Sequence, residues 1–316
     1  MTKNAELLLG ALTADAASLG LHWIYNIDRI AEITARRNGK CAFTPVDPKN
    51  FEGVKTFAHR TRHNGMFTQI GEVLRLTIQS MNAHDGKFDV SAYQTAFASF
   101  FGAGGAYQGF MDGPTRGTLA NIAAEKTTSG IDDDQTPALT RLPAILVGYH
   151  GQDDLPNMIR TAMEVTNVND IAAAYSAVFA DVLSRVMQDE PLQDVLNSAA
   201  QSADDAIKAD LMAALTTPET DTTTFAGLKG LMGRACSLPS AGPVMFHILK
   251  HSDTYRAAIE RNICAGGDSA GRSILIGAIM ARIHGVATPS GIPLSWVLQL
   301  EDGAQIWNEC RSLGQR

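Results

Sequence analysis

Apolar residues recur at helical spacings from the beginning of the chain, at Leu7, Leu8, Ala11, Leu12, Ala14 and Leu19, with many small residues among them. This predicts a first core helix that neighbours can approach closely. A short helix over 27–36 ends near Gly39, after which Pro45, Pro48 and Gly53 predict a surface excursion spanning 26 to about 61. Periodicity resumes over 69–81 and 90–101, then meets GAGGAYQGFMDGPTRG at 102–117, which is too rich in breakers to read as a regular element. Further helices are predicted after Pro137 up to Gly148, and over 155–165, 171–187, 192–200, 204–214 and 254–264. The clearest spans 269–284, where ILIGAIMARI is apolar on nearly every face and Gly285 supplies a stop. Sustained β alternation is scarce. The fold class is therefore all-α, a compact orthogonal multi-helix globule.

No linker divides the 316 residues and no solenoid period is visible, so residues 1–316 are read as one domain, against a competing division that sets off a smaller lobe at roughly 180 to 260. The net charge of -7 disfavours a nucleic-acid backbone surface; the local basic group Arg60, Arg62 and His63 reads as a pocket or a solvated loop. The N-terminal stretch fits a core helix better than a signal peptide, and no run of apolar residues is long enough for a membrane span. Cys41, Cys236, Cys264 and Cys310 form no CxxC unit, which suggests free thiols in a reducing, cytoplasmic setting.

Several polar residues stand where a core is expected. Asp15 and His22 share a helix face, and Trp23 follows; an aspartate among alanines is costly unless it is paired or lines a cleft. Asn64, Thr68, Gln69 and Glu72 gather around Gly65, either as a turn and helix cap or as a ligand cluster. Asp133 lies within three consecutive aspartates before Pro137, and Asn167 lies in a stretch that punctuates two helices. Both positions permit capping or recognition. In AGGDSAGRS, Asp268 stands at a helix start, Ser269 offers a hydroxyl, and Arg272 needs a partner within a buried element. The expectation is that Asp15, Gln69, Asp133 and Asp268 line one central cleft.

ALTADAASLGLHWIYN at 11–26, HNGMFTQIGE at 63–72, DDDQTPALTRLPAI at 132–145, TNVND at 166–170 and GGDSAGRSILIGAIMARIHG at 266–285 are distributed over almost the whole chain. In this order they resemble the ADP-ribosylglycohydrolase and crystallin J1 superfamily, and more closely its crystallin J1-like branch. The resemblance implies an all-helical fold and, in catalytic members, two magnesium ions in a cleft that hydrolyses a glycosidic bond to ADP-ribose. Asp15 corresponds to the aspartate of the family's GDA element, here ADA, and Asp268 to the first aspartate of GGDTDT, here GGDSAG. The TDDT element reads NGMFTQ. Magnesium is thus implied by the family while its usual ligand motifs are degraded, and no metal ligand is assigned. The resemblance implies a small-molecule or ADP-ribosylated substrate. Asp15, Glu72 and Asp268 are the candidates to orient or deprotonate water, and His22, Trp23, Asn64, Gln69, Asp133, Asn167, Ser269 and Arg272 to hold substrate. The alternative is a non-catalytic ligand-binding or structural protein.

Overall fold

The computed structural model describes residues 1–54, 57–218 and 234–316. It is an all-α, multi-helix globule in which the described residues form no sheet, only isolated bridges pairing Ile131 with Asn167, Gln135 with Ser237, and Val286 with Ile292. At its centre α1 (Lys3–Ser18) packs on the helix Ser269–His284, and both are buried on nearly every face. Small residues make that contact possible. A Cβ on Gly10 would lie 2.6 Å from the Gly277 carbonyl oxygen, and one on Gly277 2.5 Å from that of Gly10, so the two backbones meet where neither has a side chain. Tyr255 donates its hydroxyl to the Gly10 carbonyl at 2.7 Å and locks the crossing from the side.

In chain order the helices are α1, α2 (Ile27–Arg36), α3 (Gln69–Ala83), α4 (Val90–Phe101), α5 (Gly113–Ala123), α6 (Leu142–Tyr149), α7 (Leu155–Glu164), α8 (Asp170–Met187), α9 (Leu192–Ser202), α10 (Asp205–Thr216), α11 (Leu238–Lys250), α12 (Tyr255–Ala265), α13 (Ser269–His284), α14 (Leu294–Val297) and α15 (Gly303–Gly314). Helices α3, α6, α8, α11 and α12 surround the α1–α13 pair. Among the described residues no helix is long and apolar enough to cross a membrane. All four cysteines are free thiols.

The excursion over 26–61 is not a surface feature throughout. Cys41, Ala42, Phe43 and Thr44 are buried, because the Phe43 amide donates to the Ala17 carbonyl at 2.9 Å, Thr44 passes over Gly20, and Phe43 meets Trp296 edge-on. The glycine-rich stretch is irregular only as far as Asp112, whose carboxylate accepts from the Thr115 amide and starts α5 with Pro114 in the first turn. The helix expected after Pro137 is split into a 3₁₀ turn, Thr136–Leu139, and α6. Helix α11 contains Pro239, Gly242 and Pro243, which hide it from periodicity; Gly242 is required because a Cβ there would lie 2.2 Å from the Tyr175 ring. Helix α15 closes against α1, where Thr2 donates to the Gly314 carbonyl at 2.8 Å.

Candidate functional site

Two reciprocal backbone bonds bring distant motifs together. The Trp23 amide donates to the Gly267 carbonyl and the Gly267 amide to the Ile24 carbonyl, both at 2.8 Å. Gly266 and Gly267 both take left-handed φ angles, +75° and +64°, and a Cβ on Gly267 would lie 2.2 Å from the Arg234 carbonyl oxygen. This tight turn delivers Asp268 to the N-terminus of α13. One oxygen, Oδ1, accepts from the Gly271 amide at 3.1 Å and pairs with His22 Nε2 at 2.8 Å; Oδ2 accepts from the Thr136 hydroxyl at 2.7 Å. His22 Nδ1 in turn lies 2.8 Å from His59 Nε2, with the two rings stacked 5.0 Å apart. Burial works to raise the Asp268 carboxyl, but the bonds from His22 and Thr136 and the charge of Arg272 outweigh it and hold the group down at about 2.

A second carboxylate sits at the start of α3. Fully buried Asp15 accepts from the Thr68 amide at 2.8 Å and the Thr68 hydroxyl at 2.6 Å, while Thr68 caps α3 by accepting from the Ile70 amide. Gly71 leaves the space that Asp15 occupies. Burial pushes the Asp15 carboxyl up to about 7, because the opposing bonds from Thr68 are neutral.

Gln69 continues from Thr68 into the space between these sites. Its amide group donates to Asp112 at 3.1 Å and to the Thr115 hydroxyl, and its carbonyl accepts from the Asp112 amide at 2.7 Å. Asp133 accepts from the Gln135 amide and side chain and from Asn167, and Asn167 is itself fully buried. Burial raises both Asp112 and Asp133; negative charge on Asp268 adds to the first shift and negative charge on Asp112 to the second. Asp112, Asp133 and Asp268 are thus electrostatic neighbours, and Asp15 joins them through Thr68 and Gln69. Trp23, Tyr25, Phe110, Asp112, Asp133, Gln135 and Cys236 keep some exposure.

Other sequence candidates go elsewhere. Asn64 is exposed in its turn. Glu72 pairs with Arg62, which is buried, donates to the Phe67 carbonyl and lies over the Tyr107 ring, so Arg62 belongs to neither a solvated loop nor an open pocket. Arg272 staples the turn before α13 by donating to the Asn262 side-chain oxygen and to the Asn262 and Gly266 carbonyls; burial lowers its guanidinium to about 10. The Ser269 carbonyl accepts from Asn262, while its buried hydroxyl has no partner among the described residues. The sequence reading missed His59, Asp112 and Cys236. Only Asp112 carried a local signal, an aspartate two positions before a proline. Cys236 lies beside Trp23 and Asp268, with its thiol raised by burial.

These donors do not fit a two-magnesium centre. Ala270 and Gly271 supply no side-chain oxygen, and Asp15, Asp133 and Asp268 each accept protein donors on both carboxylate oxygens. A Cβ on Gly271 would lie 2.3 Å from Asp268 Oδ2 and 2.4 Å from the Thr136 hydroxyl, so the hydrogen bond between those two residues fills the space of a larger side chain. Among the described residues no group of three or more His, Cys, Asp or Glu side chains is arranged to hold a metal ion. A groove of about 640 Å³ runs beside the glycine-rich stretch, lined by Phe101, Tyr107, Met111, Leu119 and Ile122, and none of the site's aspartates or histidines lines it.

The family model described as ADP-ribosylglycohydrolase matches residues 3–316. Crystallin J1A of Tripedalia cystophora is 24% identical over 315 residues, covering 95% of this chain and 92% of the crystallin; crystallin J1B of the same organism is 22% identical with the same coverage. A solved structure titled "ADP-ribosylglycohydrolase-related protein complex" superposes with a TM-score of 0.74 at 14% identity, over 99% of this chain and 97% of that one.

Proposed function

On the premise that the chain belongs to the ADP-ribosylglycohydrolase family, we propose that it is a divergent hydrolase of a glycosidic bond in ADP-ribose or a related small molecule, working without the two-magnesium centre. The observation that carries this reading is the buried Asp268–His22–His59 array at the start of α13 in a chain that the family model matches over residues 3–316; burial pushes Asp15 up to about 7 while the partners of Asp268 hold it at about 2. Glycosidic cleavage uses one carboxyl that stays ionised and one that can hold a proton, and different environments are how a protein supplies both near neutral pH. Asp268 then orients His22, and Asp112 and Asp133 face the substrate from the partly exposed side. Glu72 acts through Arg62 as a positioning residue. In this reading residues 1–316 form one domain, the protein is cytoplasmic, and the substrate is a free or protein-linked ADP-ribosyl group.

The test is release of free ADP-ribose from ADP-ribosylated protein and from O-acetyl-ADP-ribose, with magnesium and with chelator, comparing the wild type with Asp268→Asn. Release that survives chelation and is lost in a folded Asp268→Asn variant is the expected result. A second reading, a non-catalytic ligand-binding or structural protein of the crystallin J1 type, is favoured by the two crystallin relatives and by the replaced metal motifs. No release from either substrate, with ADP-ribose still bound, would move the assignment there.

A further inference from the structure

We propose that Asp268, His22 and His59 form a proton relay whose working end is Nδ1 of His59, and that this nitrogen is the general base toward a hydroxyl or water of the substrate. The inference takes its substrate from the hydrolase reading; the order of hydrogens along the relay is independent of it.

The geometry sets that order. A carboxylate only accepts, so at 2.8 Å from Asp268 the hydrogen sits on His22 Nε2. In a neutral His22, Nδ1 is then a lone pair, and at 2.8 Å it must accept from His59 Nε2. His59 is left with a lone pair on Nδ1. That atom is buried and has no hydrogen-bond partner among the described residues, whereas buried polar atoms are nearly always paired. Two stacked histidines serving only as core filler would need neither a carboxylate at one end nor an acceptor left unpaired at the other. Trp23, half-buried, packs beside both rings, 4.9 Å from that of His22 and 6.4 Å from that of His59, and meets Phe110 edge-on.

Burial and the neighbouring His22 and Arg62 push the His59 imidazole well below its usual range, so it is a poor place to keep a proton. The relay removes that difficulty. As Nδ1 of His59 takes the proton of a water, its Nε2 proton passes to His22 Nδ1, and the positive charge comes to rest on His22 against the Asp268 carboxylate. The freed oxygen lone pair forms the new bond to the anomeric carbon; the leaving group departs with the electrons of the old bond and is protonated from solvent. His22 returns its proton along the same path.

The deciding experiment is nitrogen-15 NMR of the histidines in the full chain, free and with ADP-ribose added, alongside kinetics of His59→Gln. Glutamine can keep the donor to His22 and lacks the second ring nitrogen. The expected result is hydrogen on Nε2 and none on Nδ1 for His59, a shift of that Nδ1 on adding ADP-ribose, and a loss of kcat by roughly 100-fold or more in His59→Gln with KM little changed. Hydrogen found on His59 Nδ1 in the free protein, or an undiminished kcat in His59→Gln, would overturn the relay. Lack of turnover on both ADP-ribosyl substrates would sink the hydrolase reading alone, and the hydrogen positions would still decide whether the relay exists.

Discussion

Two helix starts in this protein are built alike and behave in opposite ways. At the start of α3 and of α13 a buried aspartate accepts a threonine hydroxyl and a backbone amide. The difference lies in the other neighbours. Asp268 has His22 at 2.8 Å and feels the charge of Arg272, so its ionised form is favoured, whereas the nearest partner of Asp15 is the neutral Thr68, and burial decides. Neutral hydrogen bonds lessen the cost of burying a carboxylate but do not cancel it; a nearby cation does. One local motif can therefore make an anchored anion in one place and a proton-holding acid in another.

The largest test of this contrast is Asp268→Ala. It removes the cap of α13 and leaves Arg272 without its counter-charge, so urea unfolding should show a loss of about 3 kcal/mol or more. A loss below about 1 kcal/mol would mean that the bonds to His22 and Thr136 contribute little to the folded state.

Opposite titrations come next. A raised carboxyl stabilises the fold below its unfolded value and loses that contribution as pH rises. Asp15, up from 3.8 to about 7, should therefore make the wild type progressively less stable relative to Asp15→Asn across that interval, by an amount on the order of a few kcal/mol. Asp268, lowered from 3.8 to about 2, contributes above 3.8 and loses its contribution as pH falls through 2. Unfolding midpoints measured against pH for the wild type, Asp15→Asn and Asp268→Asn give both slopes; a shared sign would break the comparison.

The smallest effect is steric. Gly271→Ala places a methyl against the Asp268–Thr136 bond and should cost about 1–3 kcal/mol in unfolding free energy, while Gly71→Ala makes the matching intrusion on Asp15. If Gly271→Ala were neutral, the carboxylate would have room that the geometry denies it, and the steric account of the altered GGDSAG motif would fail.

Much of the fold was legible because burial leaves a periodic signature. Helix α13 matches its expected bounds, and α2, α4 and α7 through α10 fall within a few residues of theirs. Helix α11 escaped because prolines and glycines interrupt its pattern, yet neighbouring side chains, Tyr175 among them, hold it helical. In the site, Asp15 stood out as a polar residue within an apolar helix, and His22 and Asp268 as polar residues at the ends of apolar segments, a contradiction that one strand of sequence can display. His59 did not. It lies in a stretch with no periodicity, and its relation to His22 spans 37 residues.

The sequence by itself determined where the periodic helices form, α2 to α4, α7 to α10, α12 and α13 among them, and which polar groups would be costly to bury. Tertiary structure alone decided that Arg62 goes to Glu72, that Thr136 takes the space a side chain at 271 would need, and that His22 reaches both Asp268 and His59. Periodicity and capping are local properties of the chain, whereas the charge state of a buried group depends on which distant cation or dipole the packing brings within a few ångströms.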